Sequence, residues 1–301
     1  MVKRKRPSGE GAVRLAHIRE WSPEEYHGDP CASGPSLSSS IAHTLVTRSP
    51  RHAWLEHPKL GARERKPTRA MDEGSILHRL ILGKGAQFEI VNAPDFRQGW
   101  AREMRDEIRA NGKVPLLTHD FERLRHIAER VRKRCEEEGF ALAGESEVCV
   151  EFQEKGEHGP VSCRCMFDHM RRDVHAIFDL KKVATARPID LERRIVENGL
   201  DIQEAAYRSA YEKLFPEAEG RTDFAFIFAE TESEPYEVVT ARLDGAFREI
   251  GRQRWMRAVL AWERLLACGQ WPWPGYVDGA VVLNPPQWVI AQELGNDYAT
   301  R

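Results

Sequence analysis

The chain has 301 residues, of which 41% are hydrophobic, and its 45 basic against 47 acidic residues give a formal net charge of −2. This composition is typical of a soluble globular protein and excludes a histone-like polycation. No apolar run reaches the roughly 20 residues of a membrane span, and no signal peptide is visible. Six cysteines are too few for a disulfide scaffold, so we expect a cytoplasmic protein without a membrane partner.

The first 35 residues are predicted to form a mobile arm, because they are polar and punctuated by glycine and proline. A basic cluster, Lys3 to Arg6, opens this arm. We interpret the cluster as a solvated tail, with a specific contact to DNA as the alternative. Residues 36–301 are predicted to form a single domain, which is long enough to bury a substantial core.

Two short helices are predicted after the arm. Ser38 and Ser39 suit the N-cap of a helix that ends near Arg48. Pro50 suits the first turn of the next helix, and its ring disfavours continuation of the preceding one.

A stretch rich in cations covers residues 48–79 and is the best candidate for contacts to DNA phosphates. Arg69 and Arg79 are the predicted DNA-binding residues within it. The alternative is a solvated loop, because acidic residues such as Asp72 and Glu73 dilute the charge.

The remaining chain shows the patterns of a mixed sheet with helices. Apolar residues at spacings of three and four predict an amphipathic helix over 118–139, and partial alternation predicts three strands that follow it as an antiparallel meander. The predicted strands are 147–154, 161–171, 175–183, 224–230 and 236–243, and the later helices begin at Pro188, Asp201 and Asp244. This order predicts an α/β or α+β domain.

The most informative residues are Asp168 on one predicted strand and Asp179 and Lys181 on the next. Because side chains alternate along a strand, Asp179 and Lys181 project from the same face, with the carbonyl of Leu180 beside them. Two carboxylates and a carbonyl suit a hard cation such as Mg²⁺, and a neighbouring lysine can orient a water for phosphodiester hydrolysis. The alternative is a salt bridge between Asp179 and Lys181 on a sheet face that is open to water.

These residues are part of a series of motifs that resembles the PD-(D/E)XK nucleases, and more closely the RecE-type nuclease domain of exodeoxyribonuclease VIII. The resemblance runs from residue 34 to residue 290. The matching motifs are Gly34–Ser40 with Ser49-Pro50, Gly74-x-x-x-His78, Glu147, Asp168, Asp179-Leu180-Lys181, Gln203-x-x-x-Tyr207, and Gly269–Pro272 with Gly275-Tyr276. The chain departs from the family at Lys182 and Val183, where threonines are usual.

The resemblance implies a role for each matching polar residue. The implied metal ligands are His78, Asp168, Asp179 and the carbonyl of Leu180, and the implied catalytic set is Asp168, Asp179, Lys181 and Glu147. Glu147 would be a ligand or a contact through water, and Lys181 would be the catalytic lysine. Gln203 and Tyr207 lie on one helix face, where they would border the active site and reach the DNA backbone. Packing of that helix onto the sheet is the ordinary alternative.

The resemblance therefore implies a Mg²⁺-dependent exodeoxyribonuclease of restriction-endonuclease-like α/β fold, with Mn²⁺ as a substitute ion. It implies digestion of linear double-stranded DNA from its ends, 5′ to 3′, which leaves 3′ single strands for recombination. A homo-oligomeric ring and a single-strand annealing protein are the implied partners. Two alternatives stay open: a structure-specific endonuclease of the same fold, and a non-catalytic DNA-binding protein.

Overall fold

The computed structural model describes residues 15–63, 68–139, 142–273, 280 and 282–294. In chain order its elements are β1 (Ala16–Arg19), α1 (Pro23–His27), α2 (Ser39–Thr47), α3 (Pro50–Glu56), α4 (Arg69–Leu82), β2 (Phe88–Val91), α5 (Gly99–Ala110), β3 (Val114–Leu117), α6 (Thr118–Glu137), β4 (Glu145–Lys155), β5 (Pro160–Arg171), β6 (Ala176–Val183), α7 (Pro188–Glu197), α8 (Leu200–Leu214), β7 (Asp223–Glu230), β8 (Val238–Ala241), α9 (Gly245–Cys268) and α10 (Gln287–Glu293).

A six-stranded mixed sheet, in the order β1-β4-β5-β6-β7-β8, forms the centre of the fold. Strand β5 is antiparallel to both of its neighbours, β4 and β6, as the predicted meander requires, and β7 is parallel to β6. A separate two-stranded sheet pairs β2 with β3 in parallel. The predicted α/β class with a mixed central sheet flanked by helices is confirmed.

The sheet buries both of its faces. On one face, Ile177 and Val183 of β6 pack in a core with the fully buried Trp255 and Trp262 of α9. On the other face, Phe178 and Leu180 of the same strand pack in a core that α4 and α6 complete. Polar side chains on β6 therefore lie between two apolar layers. Within the described residues, no helix has the length and apolarity that crossing a membrane requires.

Residues 16–35 belong to the folded domain, which corrects the mobile arm predicted for residues 1–35. Strand β1 pairs with β4 from Ala16 opposite Phe152 to Arg19 opposite Cys149. Beyond α1, the carboxylate of Asp29 is buried in the protein. This segment is thus attached to the domain by the pairing of β1 with β4 and by the buried Asp29 carboxylate. Residues 1–14, with the basic cluster, lie outside the described residues.

Several predicted helices are confirmed with their caps. The hydroxyl of Ser38 accepts from the backbone N–H of Ile41 at the start of α2, Pro50 opens α3, and the carboxylate of Asp244 accepts from the N–H of Phe247 at the start of α9. The sequence predicts a helix that begins at Asp201. Helix α8 begins one residue earlier, and the Asp201 carboxylate binds Arg254 of α9 at 2.7 Å.

The contact of α8 with α9 gives a stability prediction at Gly251. A methyl group added at Gly251 would overlap the backbone carbonyl of Asp201, whereas one at Gly245, on the same helix, would meet nothing within 4 Å. We expect Gly251→Ala to lower the free energy of unfolding by about 1–3 kcal/mol. Gly245→Ala should change it by less than about 1 kcal/mol. Urea denaturation measures both, and equal values for the two variants would contradict this packing.

Candidate active site

The site begins where strands β5 and β6 separate. Their paired residues run from Arg171 opposite Ala176 to His169 opposite Phe178 and stop there. In the next position the Asp168 carboxylate lies between the strands and accepts a hydrogen bond from the backbone N–H of Leu180 at 2.9 Å. The fork in the sheet thus holds a carboxylate that is almost fully buried.

Asp179 and Lys181 project from the same face of β6, as their spacing predicts. The Lys181 ammonium contacts Oδ2 of Asp179, and the side-chain amide of Gln203 on α8 donates to Oδ1 at 2.6 Å. Asp179 is 0% exposed. The pair is therefore not a salt bridge on an open sheet face, which was the alternative to a catalytic role.

The pKa values of Asp179 and Lys181 are shifted by burial and by the nearby Asp168 carboxylate. Burial, opposed by the charge of Lys181 and reinforced by the Asp168 carboxylate, raises the pKa of Asp179 from 3.8 to about 6. Burial alone would lower the pKa of Lys181, but the charges of Asp179 and Asp168 outweigh burial and raise it. The site consequently favours a cation beside its two carboxylates.

His78 on α4 approaches the fork from the other face of the sheet. Its Nε2 atom lies 3.4 Å from the carbonyl oxygen of Leu180 and 3.7 Å from Oδ2 of Asp168. The imidazole, the carbonyl and the Asp168 carboxylate therefore converge on one place. These are three of the four groups for which the resemblance implies metal binding.

Glu147 joins this group through an unusual backbone conformation. On β4, Ser146 pairs with His169 and Val148 with Phe167, but the intervening Glu147 and Asp168 do not pair. Glu147 has a φ of +53°, in the left-handed region that costs a non-glycine residue energy. The pKa of its carboxyl is raised, mainly by burial; the charge of His78 opposes this shift and the charge of Asp168 adds to it. Glu147 is thus close enough to both residues for their charges to act on it.

The donor set fits a hard divalent cation. Mg²⁺ needs one or two protein carboxylates and completes its shell with waters and substrate phosphate oxygens. The fork supplies the carboxylates of Asp168 and Asp179, the Leu180 carbonyl and the His78 imidazole. Among the described residues, no three or more His, Cys, Asp or Glu side chains lie close enough together to hold a metal ion by themselves. A metal ion at the fork would therefore need waters and substrate oxygens as well as the protein groups to complete its shell.

The predicted DNA-binding residues have defined partners within the protein. Gln203 holds Asp179, and the buried Tyr207 ring packs edge-on against Phe167 and Phe224. Arg69 pairs with acidic residues of α4 and α6 while its side chain stays 70% exposed. Arg79 donates to the carbonyl of Gly85 at 3.0 Å. Contact of these four residues with DNA stays a prediction.

Three further polar residues near the fork have no counterpart among the predicted site residues. Lys84 donates to the carbonyl of Ser146 at 3.1 Å, next to Glu147. Glu73 of α4 binds Lys182 of β6 at 2.8 Å. In the sequence, Glu73 is one of several acidic residues in a basic stretch, and Lys182 is a departure from the resembled family. Neither pattern predicts that the two side chains contact each other.

Comparison with known proteins gives one family and a shared fold. The profile of a family described as a PDDEXK-like domain of unknown function (DUF3799) matches residues 39–275. No curated protein matches the chain. A crystal structure from Eubacterium rectale, named as that of a candidate exonuclease, is 15% identical, covers 92% of this chain and 99% of its own, and has a TM-score of 0.57. A phage-related exonuclease from Haemophilus somnus 129PT is 13% identical over 78% of this chain and 96% of its own, but its TM-score of 0.33 is too low to indicate a shared fold.

Proposed function

The chain belongs to the DUF3799 family of PDDEXK-like domains, and on this premise we propose that it is a Mg²⁺-dependent deoxyribonuclease that digests linear double-stranded DNA from its ends. The observation that carries the proposal is the buried Asp179 carboxylate, held between Lys181 and Gln203 beside the Asp168 carboxylate. A buried charge is costly unless it is paired or binds a metal, and groups with strongly perturbed pKa values are concentrated at functional sites. An exonuclease is proposed because the resembled RecE-type domain is one.

Each residue of the fork has a part in the proposed hydrolysis. Asp168, Asp179, the Leu180 carbonyl and His78 would hold Mg²⁺, for which Mn²⁺ could substitute. When bound, the ion supplies charge stabilisation to the phosphate oxygens and acidifies a water. The Lys181 ammonium orients the attacking water and stabilises negative charge on the phosphate. Glu147 would be a further ligand or a contact to the ion through water.

Exposed cations and the polarity of digestion complete the proposal. Arg69 contacts a phosphate of the duplex with the exposed part of its guanidinium, and Arg79, Gln203 and Tyr207 border the strand that is cut. Digestion runs 5′ to 3′ and leaves 3′ single strands for recombination, with a single-strand annealing protein as partner. A homo-oligomeric ring keeps the enzyme on its DNA.

The proposal predicts a difference between linear and circular DNA. In Mg²⁺, the protein should degrade end-labelled linear duplex and spare covalently closed circular duplex of the same sequence. Label at the 5′ end should be released first if digestion is 5′ to 3′. EDTA should abolish degradation, and Mn²⁺ should restore it.

Two other outcomes would favour a different function for this protein. Cutting of the closed circle would favour a structure-specific endonuclease over an exonuclease. DNA binding without cutting in either ion would favour a non-catalytic DNA-binding protein. As a matched control, Lys213→Met removes a lysine that pairs with buried Glu154 at 2.9 Å, away from the fork, and should keep the wild-type rate.

A further inference from the structure

We infer that the ion pair between Glu73 and Lys182 positions the His78 helix against the metal-binding fork, and so sets the metal affinity of the site without touching the metal. This inference rests on the proposed function, because it concerns the metal site proposed above. Glu73 and Lys182 are positioning residues in this account. Neither is among the residues for which the sequence or the resemblance implies a role.

Consecutive residues of β6 serve the two faces of the sheet. Lys181 points toward α8 and contacts Asp179, whereas Lys182 points toward α4 and binds Oε2 of Glu73 at 2.8 Å. The alternation of side chains along a strand makes this division obligatory. The lysine proposed to act in the reaction and the lysine that holds the helix are thus adjacent in the chain.

Two polar contacts join helix α4 to β6, in addition to the apolar packing between them. Near its beginning, Glu73 binds Lys182, and about one turn later His78 reaches the carbonyl of Leu180 at 3.4 Å. Helix and strand therefore run in opposite directions, with the ion pair at one end of the contact and the imidazole at the other. A shift of the helix at Glu73 would move His78 relative to the fork.

Glu73 is also the centre of a wider charged cluster that gives the attachment its rigidity. The cluster consists of Glu73, Asp120, Arg69, Arg123 and Lys182. Arg123 of α6 donates to Glu73 at 2.7 Å and to the carbonyl of Thr231, after β7, at 2.6 Å. Burial alone would raise the pKa of Glu73, but Lys182 and Arg123 outweigh it and lower the pKa, so the carboxylate stays ionised.

Within the part of the chain that the structure describes, Lys182 is the member of this cluster that lies on β6, the strand that carries Asp179. Among the cluster's cations, Arg69 lies on α4 itself and Arg123 on α6. Loss of the Lys182 ammonium should therefore loosen α4 from β6 while leaving its contact with α6 in place. A group that orients a metal ligand from outside the coordination shell commonly changes metal affinity by about 10-fold or more.

The test measures Mn²⁺ binding to the full chain without DNA, by calorimetry or by the loss of the free-ion EPR signal. Glu73→Gln and Lys182→Met should each raise the Mn²⁺ dissociation constant about 10-fold. The double variant should bind Mn²⁺ as tightly as the single variant with the lower affinity, because the two changes remove the same contact. The matched controls are Glu154→Gln and Lys213→Met, which break an ion pair of the same kind at an equally buried glutamate.

The outcomes separate this inference from the proposed function. If wild type binds Mn²⁺ and Asp179→Asn does not, but Glu73→Gln and Lys182→Met bind as wild type does, the metal site stands and the positioning role is wrong. If Asp179→Asn binds as tightly as wild type, the metal site itself is wrong. If the control variants weaken binding equally, the effect is a general loss of stability, and the inference is overturned. Thermal unfolding of each variant confirms that it is folded, and Lys182→Met remains the test if Glu73→Gln is not.

Discussion

Replacing Lys181 with methionine is expected to lower the rate of DNA digestion about 10³-fold at saturating Mg²⁺ while leaving Mn²⁺ binding intact. The ammonium is the group placed to orient a water and to stabilise charge on the phosphate, and losing one such group costs about 10²–10³ in rate. Methionine keeps the apolar stem of the side chain. The Asp179 carboxylate retains its hydrogen bond from Gln203, so the metal site keeps its geometry.

Asp179→Asn should behave differently, and this difference separates the two roles. Asparagine preserves the shape of the side chain but removes a negative charge that is fully buried beside Asp168. We expect both cleavage and Mn²⁺ binding to be lost. Single-turnover digestion and calorimetry measure the two effects on the same preparations.

The control for both variants is Lys213→Met, which should digest DNA at the wild-type rate. A Lys181→Met variant within 10-fold of wild type would remove Lys181 from the proposed chemistry. Equal loss of Mn²⁺ binding in Lys181→Met and Asp179→Asn would mean that Lys181 only maintains the fold of the site.

The central strands and their face assignments are predictable from the sequence because their signals are local. Strands β4, β5 and β6 show alternation, and the shared face of Asp179 and Lys181 follows from it. Strand β1 has only four residues, which are too few for alternation to identify a strand, and only Ala16 of them is buried. Its pairing depends on β4, whose partner residues are 130 to 136 positions away in the chain.

The geometry of the site is less predictable, because it depends on how distant elements dock. The hydrogen bond of Gln203 to Asp179 requires α8 to lie across β6, and the place of Asp168 in the fork requires the strands to separate after His169. The left-handed backbone of Glu147 has no sequence signal, since glutamate is not a residue that favours it. The sequence therefore predicts which residue types form the site, but not the contacts between them.

Replacing Asp29 with asparagine is expected to lower the free energy of unfolding by about 3 kcal/mol at neutral pH. Asp29 accepts from the backbone N–H of Ser36 at 2.8 Å, and its carboxylate lies 3.4 Å from the guanidinium of Arg164 and 3.3 Å from His57. Arg164 is itself buried, so the substitution leaves a charge without its partner, which typically costs 3–5 kcal/mol. Asparagine tolerates the left-handed backbone of Asp29, at a φ of +57°, so backbone strain does not add to the effect.

The same change should release the N-terminal segment before the rest of the domain. Asp29 and Arg164 join the segment that carries β1 and α1 to β5, and Arg164 also donates to the carbonyl of Tyr26 at 3.2 Å. We expect limited proteolysis to cleave between residues 20 and 35 faster in the variant. The control is Asp173→Asn, which removes a carboxylate that is 64% exposed and paired with Arg171, and should alter neither stability nor cleavage appreciably.

The pH dependence of this effect follows from the direction of the Asp29 pKa. Burial alone would raise that pKa, but hydrogen bonds from His57 and Ser36 and the charge of Arg164 lower it from 3.8 to about 2. A depressed carboxyl pKa contributes stability that is full above the unfolded value and is lost as the pH falls through the folded one. The difference in unfolding free energy between wild type and Asp29→Asn should therefore shrink by about 2 kcal/mol between pH 5 and pH 2. A difference that stays constant across this range would show that the ionised carboxylate is not what holds residues 16–35 in the domain.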